Sequence, residues 1–150
     1  MAETATMLNH FRAEQLLTTY TRMVDARDLA GLARIAHPAI VLERSADDAP
    51  RHGREAFLDL YRAFAGSDVR DSQHMTTNVV TTAREDGSLA VAACFVAITT
   101  HPDGARITWG RYDDESAEHD DAWGVTAKRI SVTRTARGGE DQRAPLRASS

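Results

Sequence analysis

The sequence predicts an α+β fold: three N-terminal helices packed on one face of a strongly curved, mainly antiparallel sheet supplied by the second half of the chain. Two observations carry that prediction. Apolar residues recur at helical spacing as far as Phe64, and from Ser72 onward the period changes to the alternation of strands. The segments REDGS and HPDG that join the later strands are short and of turn-forming composition, which favours antiparallel neighbours. Helices covering one face of such a sheet leave room for a pocket.

Each element has its own signal. Residues 1–7 are expected to be a flexible N-terminus. From Leu8 to Val24, the residues Leu8, Phe11, Leu16, Tyr20, Met23 and Val24 form the apolar face of a first helix. Asp28 stands before LAGLARIA, where its side-chain oxygen can cap the free amides of a second, shorter helix that His37-Pro38 stops. AIVLER reads as a short strand and SADDAPRHG as a turn. REAFLDLYRAF sets Phe57, Leu60, Tyr61 and Phe64 on one stripe of a third helix. SQHMTTNVVTTA, LAVAACFVAITT, ARITWGRYDDE and AWGVTAKRISVTR then read as four long strands of a meander. The segment Leu89 to Ile98 is apolar at both parities, as a central strand buried on two faces would be, and Cys94 within it reads as a small core filler. The tail, residues 137–150, has no periodicity and is expected to be disordered. Residues 8–136 are thus expected to form a single domain, and 150 residues suffice to bury a core without staples.

Composition narrows the partners. The chain carries 18 basic and 22 acidic residues, and its arginines are interleaved with Asp and Glu, so no basic stripe for nucleic acid is present. The apolar run Leu89 to Ile98 falls well short of the roughly 20 residues needed to span a bilayer. MAETATMLNHFRAEQ has no basic start followed by an apolar core, so a cytoplasmic protein without membrane contact is expected. GxGxxG, P-loop, GxSxG and HExxH patterns are absent and the six histidines show no ligand spacing, so neither a cofactor nor a metal is expected.

The chemistry then rests on side chains. His74 is the first candidate, because an imidazole accepts and returns a proton near neutral pH. In a strand its alternate positions Thr76, Asn78 and Val80 share its face. Asp25 is the second, because it stands at the end of the first helix, where the dipole favours a basic residue instead. A carboxylate set against an imidazole fixes its tautomer and strengthens it as a base. Asn78, Tyr20 and Tyr61 are candidate donors to a substrate oxygen, and Phe95, Trp109 and Tyr112 candidate apolar walls. Arg111 and Asp113 share one parity of a strand and form a third cluster. Each of these serves equally well as a hydrogen-bonded structural group or an exposed ion pair.

VDARDLAGL, HGREAF, QHMTTNVV, GRYDDE and AWGVTAKRISVTR occur in an order that resembles the SnoaL-like branch of the nuclear transport factor 2-like superfamily, over about residues 8 to 136. The resemblance implies a cone-shaped α+β barrel around a cavity and a homodimer formed through the convex face of the sheet. Its members include scytalone dehydratase, polyketide cyclases, limonene epoxide hydrolase, steroid isomerase and proteins that only bind. Asp25 and His74 occupy the positions of the aspartate and histidine of scytalone dehydratase. The chain departs from that enzyme at Val24, where it has tyrosine, and in LAVAACFVAI, which lacks its second histidine. Arg111 and Asp113 match part of the epoxide hydrolase arrangement, but AWGVTAKRISVTR offers no second aspartate. The expectation is a cofactor-independent dehydratase, cyclase or isomerase acting on a small, largely apolar oxygenated metabolite such as a polyketide or terpenoid. The alternatives are a small-molecule-binding module and epoxide-opening chemistry at Arg111 and Asp113.

Overall fold

A computed structural model describes residues 1–138. The elements in order are α1 (Ala2–Ala26), α2 (Leu29–Ile35), β1 (Ala36–Arg44), β2 (Arg51–His52), α3 (Arg54–Ala65), β3 (Asp71–Ala83), β4 (Leu89–His101), β5 (Gly104–His119) and β6 (Ala122–Arg137). The tail expected to be disordered lies outside the described residues, except that Arg137 closes β6 and the Gly138 amide donates to the Ala105 carbonyl at 2.8 Å.

Helix α1 reaches back to Ala2, through the residues expected to be a flexible N-terminus. Its buried stripe is Ala13, Leu17, Tyr20 and Val24, one residue every three or four positions. Leu8 and Phe11, expected on that stripe, are 45% and 58% exposed. An apolar side chain joins a core only where another element faces it, and from Glu3 to Phe11 no residue is buried. Asp28 caps α2 as expected, its Oδ1 accepting from the Gly31 amide at 2.8 Å.

Strands β3 to β6 form the expected antiparallel meander, and the full order is β2-β1-β6-β5-β4-β3. Two features were not legible beforehand: β1 runs parallel to β6, and two residues of the expected SADDAPRHG turn pair with β1 as β2. Strand β5 also continues to His119, because Asp120 and Asp121 adopt φ of 50° and 60° and so make a two-residue hairpin turn. The sheet ends on β2 and β3, which do not pair with each other, so the expected barrel is an open-sided cone.

Curvature comes from irregularities in pairing, between Thr77 and Val80 in β3 and at Trp109/Gly110 and Glu115/Ser116 in β5. At Gly110 a Cβ would lie 1.9 Å from the Ser131 carbonyl oxygen, so only glycine lets β5 and β6 approach there. Gly110→Ala is expected to cost about 1–3 kcal/mol of stability, read as a lower urea midpoint, because backbone rather than a flexible side chain must yield.

The helices cover the concave face of the sheet only. On β4, Leu89, Val91, Ala93, Phe95 and Ala97 are buried, whereas Ala90, Ala92, Cys94 and Val96 are half-buried and Ile98 is exposed. This corrects the expectation of a strand buried on both faces, and it places Cys94 on the convex side rather than in the core.

Candidate active site

Asp25 lies in the last turn of α1, and the chain leaves the helix through Arg27 in the left-handed conformation. The Arg27 guanidinium donates to the Val69 carbonyl, tying the end of α1 to the residues that lead into β3. Both carboxylate oxygens of Asp25 are thereby spent on β3. Oδ1 accepts from the Ser72 hydroxyl at 2.8 Å and faces His74 Nδ1 at 2.6 Å, while Oδ2 accepts from the His74 amide at 2.8 Å. An ionised carboxylate only accepts, so Nδ1 carries the hydrogen and the lone pair sits on Nε2. The two side chains are 13% and 23% exposed for His74 and Asp25, and the Phe64 ring stands edge-on to the imidazole. Sequence reasoning named both residues; the structure brings them together.

His74 faces a cavity of about 370 Å³ inside the cone, a size suited to a small metabolite. Tyr20, Tyr61, Phe95 and Tyr112 line it, together with Val24, Leu60, Phe64, Ile130 and Val132. The Tyr20 and Tyr61 hydroxyls are hydrogen-bonded to each other at 2.8 Å. Phe95 stacks on Tyr112 at 4.4 Å between centroids, and Tyr20 meets both Tyr61 and Tyr112 edge to face. Burial pushes the three phenols up from their ordinary value, so they are hydrogen-bonding hydroxyls and not bases.

Three further charged groups bear on this cavity: Arg44 lines it, and Lys128 with its partner Asp114 lies outside its lining, against the rings of Tyr20 and Tyr112. Lys128 is 1% exposed, donates to Asp114 Oδ2 at 2.7 Å, and lies over the rings of Tyr20 and Tyr112 at 4.0 and 3.3 Å. Burial drives the lysine down and the carboxyl up, each opposed by the other's charge. Arg44, at the end of β1, lines the cavity. Its guanidinium grips Asp47 through two hydrogen bonds, one of 2.9 Å from Nε, and holds that carboxyl down at about 2.

Three expected site residues lie elsewhere. Asn78 occupies the irregularity in β3 with φ 54°, and two consecutive residues, Thr77 and Asn78, are exposed there. The extra residue reverses the side-chain parity, so Val79 and Thr81 turn in where Asn78 and Val80 had been expected. Trp109 and Arg111 fall on the convex face, because Gly110, Tyr112 and Asp114 take the inward parity of β5. Arg111 and Asp113 are an exposed pair at 3.5 Å, away from the cavity, which removes the geometric basis for epoxide chemistry there. Among the described residues no three His, Cys, Asp or Glu side chains gather as a metal site would need, and no helix is long and apolar enough to cross a membrane.

An open cone of sheet capped by helices, with an imidazole and a carboxylate paired in its wall, defines a class of small α+β cavity proteins. A family model described as "SnoaL-like domain" matches residues 12–129, and the chain belongs to that family, in the nuclear transport factor 2-like superfamily. Solved structures agree on the fold. A scytalone dehydratase-like protein from Novosphingobium aromaticivorans superposes with a TM-score of 0.79 at 19% identity, covering 98% of this chain and 99% of that one. A hexachlorocyclohexane dehydrochlorinase, LinA-type3 from Novosphingobium barchaimii, gives 0.76 at 16% identity over 97% and 96%. ActVI-ORFA from Streptomyces coelicolor gives 0.63 at 16% identity over 89% and 97%. No curated protein matches the sequence.

Proposed function

We propose that the protein is a cofactor-independent acid–base enzyme, a lyase or cyclase, acting on a small, largely apolar oxygenated metabolite held in the cone. The observation that carries this reading is the Asp25–His74 pair, with both carboxylate oxygens committed to β3 and Nε2 left with no hydrogen-bond partner among the described residues. His74 Nε2 would take a proton from a carbon next to a carbonyl. The Tyr20–Tyr61 hydroxyl pair would hold the oxygen on which charge develops, and the protonated imidazole would return the proton to the leaving oxygen or to the ring-closing product. The names of two structural neighbours, a dehydratase and a dehydrochlorinase, both describe eliminations, and this supports loss of a small molecule as the reaction type.

The test is a screen of β-hydroxy ketones with apolar substituents, followed by ultraviolet absorbance of the conjugated product. Turnover by the wild type but not by His74→Gln supports the reading. Equal residual rates in both proteins would overturn it and favour a module that binds without turnover.

The proposal extends to a homodimer in which a second copy covers the convex face. There Met75, Ile98 and Ile107 are 42%, 36% and 40% exposed. Sedimentation velocity is expected to give a dimer that Ile107→Lys converts to monomer. A monomeric wild type would sink this part of the proposal.

A further inference from the structure

A second cleft lies at the other end of β5 and β6. Arg34, His37, Arg54, His119 and Trp123 line a space of about 40 Å³. His119 is roughly 30–35 Å along β5 from Thr108, a residue of the main cavity wall. Among the described residues no acidic side chain lines the cleft. The acids nearby touch only its rim: Asp120 lies 3.3 Å from His119, and Asp28 lies 3.8 Å from Arg34.

The groups left over in this cleft are donors. Arg54 Nε donates to the Ala36 carbonyl at 2.9 Å, which fixes the guanidinium and leaves its two terminal nitrogens without a hydrogen-bond partner among the described residues. His37 Nδ1 accepts from the Ala39 amide at 3.0 Å, so its hydrogen is on Nε2. The indole of Trp123 forms part of the wall, and its Nε1 is buried with no partner among the described residues. The Arg12 guanidinium sits 5.0 Å over the same indole ring and adds a further positive charge.

From this geometry we infer that the cleft is an oxyanion site, which takes a carboxylate or phosphate group between the Arg54 fork and His37, against the Trp123 indole. Such a group accepts from every direction in which these residues donate, and planar guanidinium suits it in particular. The volume admits one such group rather than a metabolite of the size the main cavity takes. The inference does not depend on the reaction proposed for that cavity.

The experiment uses the ¹⁵N-labelled full chain and its two indole N–H signals, assigned with Trp123→Phe. Inorganic phosphate and acetate are titrated separately, each against chloride at matched ionic strength. The Trp123 signal is expected to move saturably while that of Trp109 stays. Response to phosphate alone, to acetate alone or to both identifies the group preferred, and each supports the site. Arg54→Gln is expected to weaken binding about tenfold or more. Arg34→Gln, whose side chain makes no hydrogen bond to backbone, should weaken it without disturbing the fold. No saturable movement with either anion, or an unchanged response in both variants, would overturn the inference.

Discussion

His74→Gln is expected to lower turnover about 10²–10⁴-fold while leaving the affinity for a cavity ligand within about twofold. Glutamine keeps the length, a donor and an acceptor, so it can still fill the wall beside Phe64, but it cannot carry a proton. Asp25→Asn provides the complementary result. The amide would offer N–H groups to His74 Nδ1 where the carboxylate accepts at 2.6 Å, driving the hydrogen to Nε2 and removing the lone pair from the cavity. A loss of about 10²-fold or more is expected in kcat, with little change in ligand affinity measured by calorimetry. Full activity in Asp25→Asn would show that the carboxylate is structural, and parallel losses of binding and turnover in His74→Gln would assign the imidazole to ligand holding.

Lys128→Met is expected to cost about 3–5 kcal/mol of stability, more than any other single change considered, because it strands the buried Asp114 carboxylate. Methionine preserves the volume between Tyr20 and Tyr112, so the loss would report charge and not packing. The pH dependence gives the sign. Burial already raises the Asp114 carboxyl above its ordinary value of 3.8, and removing the lysine raises it further. The folded variant therefore binds a proton that the unfolded chain releases. The Asp114 contribution to its stability is fully present below about pH 4 and lost as pH rises, so that the difference in stability from the wild type grows toward neutral pH. Chemical denaturation at a series of pH values reads this directly, and the double variant Lys128→Met with Asp114→Leu should recover most of the loss. A single variant as stable as wild type at pH 7 would mean that Asp114 is held by its neighbours without help from the cation.

The helices and the long strands were legible because their signals are local: a capping Asp28, a stripe of Phe57, Leu60, Tyr61 and Phe64, and turns at REDGS and HPDG. Asp25 and His74 were legible for a different reason, their positions relative to those elements and the resemblance to a known family. Residues whose role depends on register were not. Lys128 reads as one more charge in AKRI until β6 is laid beside β5 and the inward parity that carries Tyr112 and Asp114 reaches it. Asn78 shows the converse failure: one residue of bulge in β3 moved it out of the face that strict alternation assigns. The parallel pairing of β1 with β6 joins residues more than 80 positions apart, and nothing local announces it.

That pairing also fixes an order of events during synthesis. Among the described elements β6 is the last to leave the ribosome, yet it sits between β1 and β5 in the finished sheet. Until it emerges, β1 pairs only with β2 and β5 only with β4, although Asp25 and Arg27 can already tie α1 to β3 and its approach. Strand β6 then fills the gap between β1 and β5 and completes the sheet. A ribosome stalled after β5 has emerged but before Val125 would therefore display, on β1 and on β5, the two edges that the finished sheet covers, for chaperones or other copies to meet.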